Sequence, residues 1–299
     1  MTIRTVAILS PGEMGAAVGG AFHDNGFDVI TTLEGRSGPT RERAEAAGFR
    51  DAGTLDAVLA QADIVLSIMP PEFAPATAET VAEAMRRTRH APPYADCNAI
   101  SPDTARRIAA VIAAAGAKFI DGGIVGSPPN RSDQPTRFFV AGPDAALMDA
   151  FNGKGVDIRQ CGPEIGRGSA IKMCYAGITK GTSALHAAVL IAAEALGVAD
   201  ELHEELAYSV TPMYRRMEKL TPALPAVAAR YIGEMREIAH TMGATGMTSG
   251  FHDGAAALYR LLEKTPYAGE RRDTVDPDRT MRQTVAVCAG HLPTRNAAE

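Results

Sequence analysis

The first 160 residues alternate short apolar runs with segments of helical periodicity. The runs TVAIL and FDVITTL predict strands, and DIVLSIM is an uninterrupted apolar run typical of a strand buried on both faces. The segments EMGAAVGGAFHDNG and PTRERAEAAG lie between them and predict helices. The alternation continues through YADCNA, SPDTARRIAAVIAAAG, KFIDGGIVG and TRFFVAG. It predicts an α/β fold with a Rossmann-type, doubly wound and mainly parallel sheet.

The pattern changes near residue 165, after which strand signals almost disappear. The segment GRGSAIKMCYAGITKGTSALHAAVLIAAEALGV predicts one long helix. We therefore expect a dinucleotide-binding domain over 1–164, a long interdomain helix over 165–198, and an all-α substrate and dimerisation domain over 199–299. Because so apolar a helix must be covered in water, it predicts packing against the α domain and against a second copy of the chain.

Composition narrows the possible functions. The chain has 299 residues, of which 46% are hydrophobic and 22% charged, as in an ordinary globular protein. Its net charge of −5 gives no support to nucleic-acid binding. The N-terminus has no signal-peptide pattern and no apolar run approaches about 18 residues, so we expect a cytoplasmic protein without a membrane segment.

The spacing of cysteines and histidines shows no metal-site pattern. The four cysteines are scattered without a CxxC pair, which favours neither a disulfide framework nor a zinc site. His186, His240 and His252 stand without an HxxH or Cys/His cluster, so no metal is predicted. His252, in the glycine-rich TSGFHDG, is a candidate for contact with the cleft of a partner subunit.

The loop SPGEMG follows the first predicted strand and opens a predicted helix. In a GxGxxG loop the first glycine permits the turn, the second lets the pyrophosphate approach, and the third allows close packing. Gly12 and Gly15 keep the last two roles, and we attribute the turn to Ser10-Pro11, because proline fixes φ. A purely structural turn is the alternative. The predicted cofactor contacts here are Ser10, Pro11, Gly12, Glu13 and Met14.

The segment after the second strand bears on the choice of nicotinamide cofactor. An acid at this place binds the ribose 2′-hydroxyl of NAD, whereas an arginine accommodates the 2′-phosphate of NADP. Glu34 favours NAD, and Arg36 with Ser37 favours NADP. Arg41 and Arg43 are interpreted as a solvated helix face. We predict NADP, with NAD as the alternative.

Four stretches together resemble the β-hydroxyacid dehydrogenase family, the relatives of 6-phosphogluconate dehydrogenase. SPGEMG is similar to the family's GxGxMG, DCNAISPDT to its DxSTxxP, and DGGIVGS to its DxxVSGG. GRGSAIKMCYAGITKG resembles the family's GxGxxxKxxxN helix and is the most specific of the four. The C-terminal third resembles a phosphogluconate-dehydrogenase-like helical domain. The resemblance implies a homodimer that joins through the C-terminal helices.

The resemblance maps the family's proton-transferring lysine onto Lys172. Its place about two turns into the long helix, near the positive end of the helix dipole, favours the neutral amine. A surface lysine in a salt bridge is the alternative. The family asparagine four residues later is Ala176, and Tyr175 is predicted to replace it in part or to pack as an aromatic. Thr179 stands where decarboxylating enzymes carry an acid, which argues against decarboxylation.

Other predicted contacts follow from the same motifs. The family's substrate serine is Val125, so Ser127 is a candidate replacement and Lys180 a candidate for an anionic group, with a surface charge as its alternative. Backbone N–H groups near glycines remain available to an anion. The predicted substrate residues are Gly123, Gly126, Ser127 and Lys180. Met69, Pro70 and Asn98 are predicted to flank the cofactor, with a strand-end turn as the alternative role for Asn98.

These predictions combine into one leading function. We expect an NAD(P)-dependent oxidoreductase that transfers a hydride between the nicotinamide and a small hydroxylated molecule, with or without an acidic group, and with Lys172 as proton shuttle. Imine reduction on the same architecture is an alternative. So is a catalytically impaired nucleotide-sensing protein, which Ala176 and Val125 favour.

Overall fold

The computed structural model describes residues 2–271 and 274–293. Two compact units divide the chain, and the boundary between them falls between Tyr175 and Ala176. This boundary lies inside the predicted long helix rather than at one of its ends. Residues 294–299, which were assigned to the predicted C-terminal domain, lie outside the described residues.

The first unit is built on one eight-stranded sheet. Its strands have the order β3-β2-β1-β4-β5-β6-β7-β8, and only the pair β6·β7 is antiparallel among the described strands. This confirms the predicted Rossmann-type, mainly parallel sheet followed by a helical region. The strands are β1 Thr5–Leu9, β2 Asp28–Thr31, β3 Arg50–Asp51, β4 Ile64–Ser67, β5 Tyr94–Asp96, β6 Phe119–Val125, β7 Thr136–Ala141 and β8 Val156–Gln160.

Helices follow the first five strands, except that β4 is first followed by the short 3₁₀ turn Pro71–Phe73. Two hydrophobic clusters form from alternate residues of the strands, as shown by Ile8 and Leu66 in one and Ala7 and Val65 in the other. A sheet with one apolar cluster on each face needs uninterrupted apolar strands, which explains the run DIVLSIM. The helices are α1 Glu13–Asp24, α2 Gly38–Ala46, α3 Leu55–Gln61, α4 Ala74–Thr88 and α5 Pro102–Ala113.

The helix α6, Arg167–Leu196, has 30 residues and crosses the boundary between the units. It lies within the predicted range 165–198. The second unit is helical throughout its described elements. Its further helices are α7 Ala199–Ser209, α8 Thr211–Leu220, α9 Leu224–Ala244, α10 Gly250–Leu262 and α11 Met281–Ala289. Among the described helices none combines the length and apolar character that a membrane span requires.

The strand order places the candidate site. The direction in which successive strands are added to the sheet reverses at β1, since β2 and β3 lie on one side of it and β4 to β6 on the other. Open α/β sheets bind ligands beyond the carboxyl ends of the strands at such a switch point. The segments after β1, β4, β5 and β6 therefore meet at the edge of the sheet where a ligand site is expected.

Candidate functional site

The phosphate loop obtains its turn from two residues. Ser10 has φ of +61°, in the left-handed region that a glycine normally occupies. The Gly12 N–H then donates to the Ser10 carbonyl oxygen at 2.7 Å, so Pro11 is the central residue of a three-residue turn. The sequence interpretation attributed the turn to the fixed φ of proline. The structure adds that the serine itself adopts the conformation of the missing glycine.

The two remaining glycines of this loop have different surroundings. A Cβ built on Gly15 would lie 3.1 Å from the Ser10 carbonyl oxygen and 3.4 Å from Ile8, so strand and helix need a glycine there. A Cβ on Gly12 would meet only the Ser10 oxygen, at 3.9 Å, and the chain leaves the space before α1 open. An open approach to a helix N-terminus fits a pyrophosphate. Met14 packs against the core, so its contribution here is its backbone.

Glu13 brings a carboxylate to the phosphate loop. Its Oε1 accepts a hydrogen bond from Arg131 Nη1 at 2.7 Å, across 118 residues of sequence. A bare carboxylate beside a pyrophosphate is unfavourable, and the guanidinium offsets that charge. Arg131 was not identified from the sequence.

The loop after β2 is held by Arg41. Its Nη2 donates to the Leu33 carbonyl oxygen at 2.5 Å and its Nε donates to that of Arg36 at 3.2 Å. The sequence interpretation placed Arg41 on a solvated helix face; the structure shows that it is exposed but tied to this loop. Ser37 is the N-cap of α2, with its hydroxyl 3.0 Å from that of Thr40. Arg36 and Ser37 are thus presented beside a helix N-terminus.

Asn98 joins the ends of β4 and β5. Its Oδ1 accepts from the Met69 N–H at 2.6 Å, and its Nδ2 donates to Ser67 Oγ at 2.9 Å and Asp96 Oδ2 at 3.0 Å. The side chain is buried. The protein therefore uses both amide protons and the carbonyl oxygen, which favours the strand-end structural role over the predicted contact with the cofactor. Asn98 fixes Met69 and, through it, the half-buried Pro70 at the edge of the site.

Two buried carboxyl groups lie side by side beneath this edge, because Asp96 and Asp121 are register partners on β5 and β6. Burial raises the pKa of Asp96 to about 7, against hydrogen bonds from Asn98 that lower it. Burial also raises the pKa of Asp121, again opposed by hydrogen bonds. Neither residue was assigned a role from the sequence.

Asp121 caps the long helix. Its Oδ2 accepts from the N–H groups of Gly166 and Gly168 at 2.9 and 2.8 Å, and its Oδ1 accepts from Ser169 Oγ at 2.5 Å. A carboxylate at a helix N-terminus satisfies N–H groups that have no partner within the helix. This cap fastens the start of α6 to β6.

Lys172 follows one turn after this cap. Its Nζ donates to the Ile124 carbonyl oxygen at 2.6 Å, which places the amine at the carboxyl end of β6. Gly123 permits the approach, because a Cβ there would collide with the Gly168 carbonyl oxygen and lie 2.9 Å from Lys172 Cβ. Gly123 therefore allows close helix packing, and its place in an anion-binding site stays a prediction. Tyr175 lies one turn further along and is 44% exposed.

The remaining predicted substrate residues are not alike. Gly126 has φ of +110° and turns the chain out of β6, and the Ser127 carbonyl oxygen accepts from Thr136 Oγ1 at 2.6 Å. Lys180 lies in the second unit, where its ammonium pairs with the buried Glu234 and lies 4.4 Å from the Tyr231 ring centroid. Its charge is engaged by the protein, which is neither of the two roles considered from the sequence.

His252 also has a local explanation. It packs against α6 in the second unit, where a Cβ on Gly177 or Gly181 would lie 3.1 or 3.3 Å from its Nε2. Within residues 2–271 and 274–293, no group of three or more His, Cys, Asp or Glu side chains is arranged to hold a metal ion.

Sequence reasoning missed Asp96, Asp121 and Arg131. The two acids had a visible signal, since each interrupts an apolar strand, in YADCNA and KFIDGGIVG. An acid in a buried strand requires donors nearby. For Asp121 these come from the GRGS segment, 45 to 48 residues later. The position of Arg137 on the sheet depends on the antiparallel pairing of β7 with β6, which the alternating pattern of strands and helices did not indicate.

Comparison with known proteins agrees with this geometry. Residues 5–151 match the family described as the NAD binding domain of 6-phosphogluconate dehydrogenase, and residues 193–262 match a domain of unknown function, DUF1932. The fold and the switch-point site thus define a nicotinamide-dinucleotide-binding protein of the dehydrogenase class. The chain thus combines the NAD binding domain of the 6-phosphogluconate dehydrogenase-like proteins with a C-terminal DUF1932 domain.

Individual relatives are distant. An uncharacterized 28.5 kDa protein of Methanothermus fervidus is 27% identical over 67% of this chain and 75% of the relative. The conserved protein MTH1747, described as similar to 3-hydroxyacid dehydrogenases, is 29% identical with a TM-score of 0.63, over 87% of this chain and 96% of that one. The 3-hydroxyisobutyrate dehydrogenase of Mycobacterium tuberculosis has a TM-score of 0.65 at 20% identity, covering 91% and 98%. At this identity the last likeness concerns the fold.

Imine reductases share the fold as well. The enzyme of Myxococcus stipitatus in complex with NADP+ has a TM-score of 0.55 at 18% identity, over 90% of this chain and 96% of that one. Its V8 variant, in complex with NAD+, has a TM-score of 0.54 at 17% identity, over 88% and 94%. These structures leave the choice between the two cofactors open.

Proposed function

We propose that this protein is an NAD(P)-dependent oxidoreductase that transfers a hydride between the nicotinamide and a small hydroxylated acid. The observation that carries the proposal is the position of Lys172. Its amine is held at the carboxyl end of β6, at the same edge of the sheet as the open phosphate loop. A dinucleotide-binding domain with a lysine at this edge has both parts that the interconversion of an alcohol and a carbonyl needs.

Different residues of the chain bind the cofactor and transfer the proton. The N-terminus of α1 and the open space at Gly12 hold the pyrophosphate. When bound, the nicotinamide accepts or supplies the hydride. Lys172 removes the hydroxyl proton of the substrate during oxidation and returns it during reduction. The Ile124 carbonyl oxygen and the Asp121 cap keep the amine in place throughout.

NADP is the preferred cofactor in this proposal. Arg36 and Ser37 stand beside the N-terminus of α2, and Arg41 fixes the loop that presents them. Planar guanidinium groups and a helix N-terminus both favour a dianionic phosphate. Titration of the protein with NADPH and NADH, followed by nucleotide fluorescence, tests this. We expect Arg36→Gln to weaken NADPH binding about tenfold or more and leave NADH unchanged. Arg43→Gln on the exposed face of α2 is the matched control, and an equal loss of both nucleotides in Arg36→Gln contradicts the assignment.

A substrate panel tests the reaction. Short 3-hydroxy acids are offered with NADP+ and NAD+ at alkaline pH, and the formation of the reduced nicotinamide is followed at its absorbance band. We expect turnover with hydroxylated acids that exceeds turnover with the corresponding neutral alcohols. Absence of hydride transfer with every member of the panel, in a protein that binds the nucleotide, contradicts the proposal and favours a nucleotide-sensing role.

Imine reduction is the second candidate, because the imine reductases share this fold. Lys172 argues against imine reduction, since the family that carries this lysine interconverts alcohols and carbonyl compounds. A cyclic imine with NADPH belongs in the panel for this reason. Faster turnover of the imine than of any keto acid would reverse the order of the two candidates.

We also infer that the protein is a homodimer that joins through its C-terminal helices. On α6, the side chains of Ile178, Leu185, Val189 and Leu196 are 72, 62, 47 and 76% exposed. Their spacing of seven, four and seven residues forms one apolar stripe of the kind that packs against another helix. Light scattering of the purified protein tests this. We expect a dimer mass that Leu185→Asp halves and Glu204→Gln, on the exposed face of α7, leaves unchanged; a monomeric wild type contradicts it.

A further inference from the structure

Arg137 lies on the same face of the sheet as Lys172. It is the register partner of Val125 in the antiparallel pair β6·β7, and partners in such a pair point to the same face. Gly123, two residues before Val125, faces the start of α6, as its close approach to Lys172 Cβ shows. Because side chains alternate along a strand, Val125 and Arg137 share that face.

The two basic residues are a short distance apart. The Cα atoms of Arg137 and Gly123 are separated by one strand spacing and two residues along the strand, which corresponds to about 8 Å. Lys172 lies over Gly123 and reaches forward to the Ile124 carbonyl oxygen. The backbone positions that carry the two basic side chains are thus neighbours on one face of the sheet, so one small molecule can contact both side chains.

A glycine makes room for the guanidinium. A Cβ built on Gly126 would lie 3.1 Å from Arg137 Nη2, and Gly126 also has φ of +110°, which side chains rarely adopt. The guanidinium thus rests against the backbone of the turn that leads from β6 to the predicted substrate residue Ser127. Arg137 is half-buried in this position.

Among the described residues, the Arg137 guanidinium has no carboxylate within ion-pair distance and makes no side-chain hydrogen bond. Its basic neighbours differ. Arg131 pairs with Glu13 at 2.7 Å, and Arg159 pairs with Asp157 at 2.9 Å. A half-buried guanidinium with five donors and no ion-pair partner among the described residues is suited to bind an anion from solution.

We propose that Arg137 binds the carboxylate of the substrate and thereby determines that the substrate is a short hydroxy acid rather than a neutral alcohol. This inference rests on the proposed function for the identity of the reacting group, since Lys172 then faces the hydroxyl at the other end of the molecule. The family motif offers a serine for this purpose, and Val125 stands in its place here. Arg137, directly across the ladder from Val125, supplies the missing polar group from the neighbouring strand.

The test compares an acid with its neutral counterpart in a complex that does not turn over. Full-length protein saturated with NADPH is titrated calorimetrically with 3-hydroxypropionate and with 3-hydroxypropionamide. We expect the wild type to bind the acid at least tenfold more tightly than the amide. Arg137→Gln removes this preference, Arg137→Lys restores part of it, and Arg159→Gln leaves it intact.

Two results overturn the inference. One is a wild type that does not prefer the acid to the amide, and the other is an Arg137→Gln protein that folds, binds NADPH and keeps the preference. The substrate panel separates this failure from failure of the proposed function. Hydride transfer without an effect of Arg137→Gln contradicts only the carboxylate site, whereas an Arg137-dependent preference without hydride transfer contradicts only the reaction.

Discussion

The two ends of helix α6 have opposite characters. At its start, polar groups fasten it to β6: Asp121 caps the first turn and Lys172 donates to the Ile124 carbonyl oxygen. Further along, Lys180 enters a buried ion pair with Glu234, and the exposed residues form an apolar stripe. Two lysines eight residues apart on one helix thus have different partners. A carbonyl oxygen positions an amine at an exposed edge, whereas a buried carboxylate binds it as a permanent part of the core.

The largest stability effect is expected at the second lysine. Lys180→Met leaves Glu234 charged in a site that is almost fully buried, with only the more exposed Arg230 beside it, at 3.7 Å, among the described residues, and this should lower the free energy of unfolding by about 3 kcal/mol. The double variant Lys180→Met, Glu234→Met should recover most of the loss, because it removes both charges. Urea denaturation of the three variants measures the cycle. Equal stability of Lys180→Met and wild type would show that the ion pair of Lys180 with Glu234 does not stabilise the core.

The cap at the start of α6 provides the next test. Asp121→Ala removes the acceptor for Gly166, Gly168 and Ser169 and should cost about 2 kcal/mol. Asp121→Asn keeps one acceptor oxygen for the backbone N–H groups and offers a donor to the Ser169 hydroxyl, so it should lose less than half as much. Thermal and urea unfolding measure both variants. An alanine variant as stable as the asparagine variant would show that the cap does not fasten this end of the helix.

Asp96 gives the fold a pH dependence at the base of the same region. Its pKa is raised to about 7 in the folded protein, against about 3.9 in an unfolded chain, so the folded state holds the proton more tightly. Stability from this group therefore falls as the pH rises from about 4 to 7. Asp96→Asn removes the titration. The stability of this variant relative to wild type should rise by about 2 kcal/mol between pH 5 and pH 8, and a constant difference would contradict the raised pKa.

The smallest effect is expected in the phosphate loop. Ser10 adopts φ of +61°, and Ser10→Gly should relieve the strain while adding freedom to the unfolded chain, for a net gain below about 1 kcal/mol. Ser10→Val, with a β-branched side chain in the same conformation, should lose more than about 1 kcal/mol. Denaturation curves of the pair measure this. A valine variant as stable as the glycine variant would show that the loop does not require the left-handed residue.

The sequence was sufficient for the mainly parallel type of the sheet and for the roles of Gly12 and Gly15 in the loop after β1, because both depend on local patterns. Continuous apolar runs predict buried parallel strands, and SPGEMG keeps the two glycines whose roles depend on space. The position of Lys172 was also predictable, since the helix motif places it relative to its own N-terminus.

Contacts between distant segments were not predictable in the same way. Asn98 has the same residue type whether it binds a nicotinamide or joins two strands, and only the positions of Ser67, Met69 and Asp96 decide between these roles. Lys180 was open to an anion until α9 placed Glu234 against it. Arg137 lies beside Val125 because β6 and β7 are antiparallel, and local periodicity predicts neither the order nor the direction of strands in a sheet.

The central claim is that the Lys172 amine transfers the proton of the reaction. Single-turnover stopped-flow measurement of Lys172→Met against wild type, with saturating nucleotide and the best hydroxy acid of the panel, tests it directly. We expect the variant to transfer the hydride about three orders of magnitude more slowly, within the usual range for a lost general acid–base, with nucleotide affinity and unfolding free energy nearly unchanged. A rate within tenfold of wild type in that variant would contradict it.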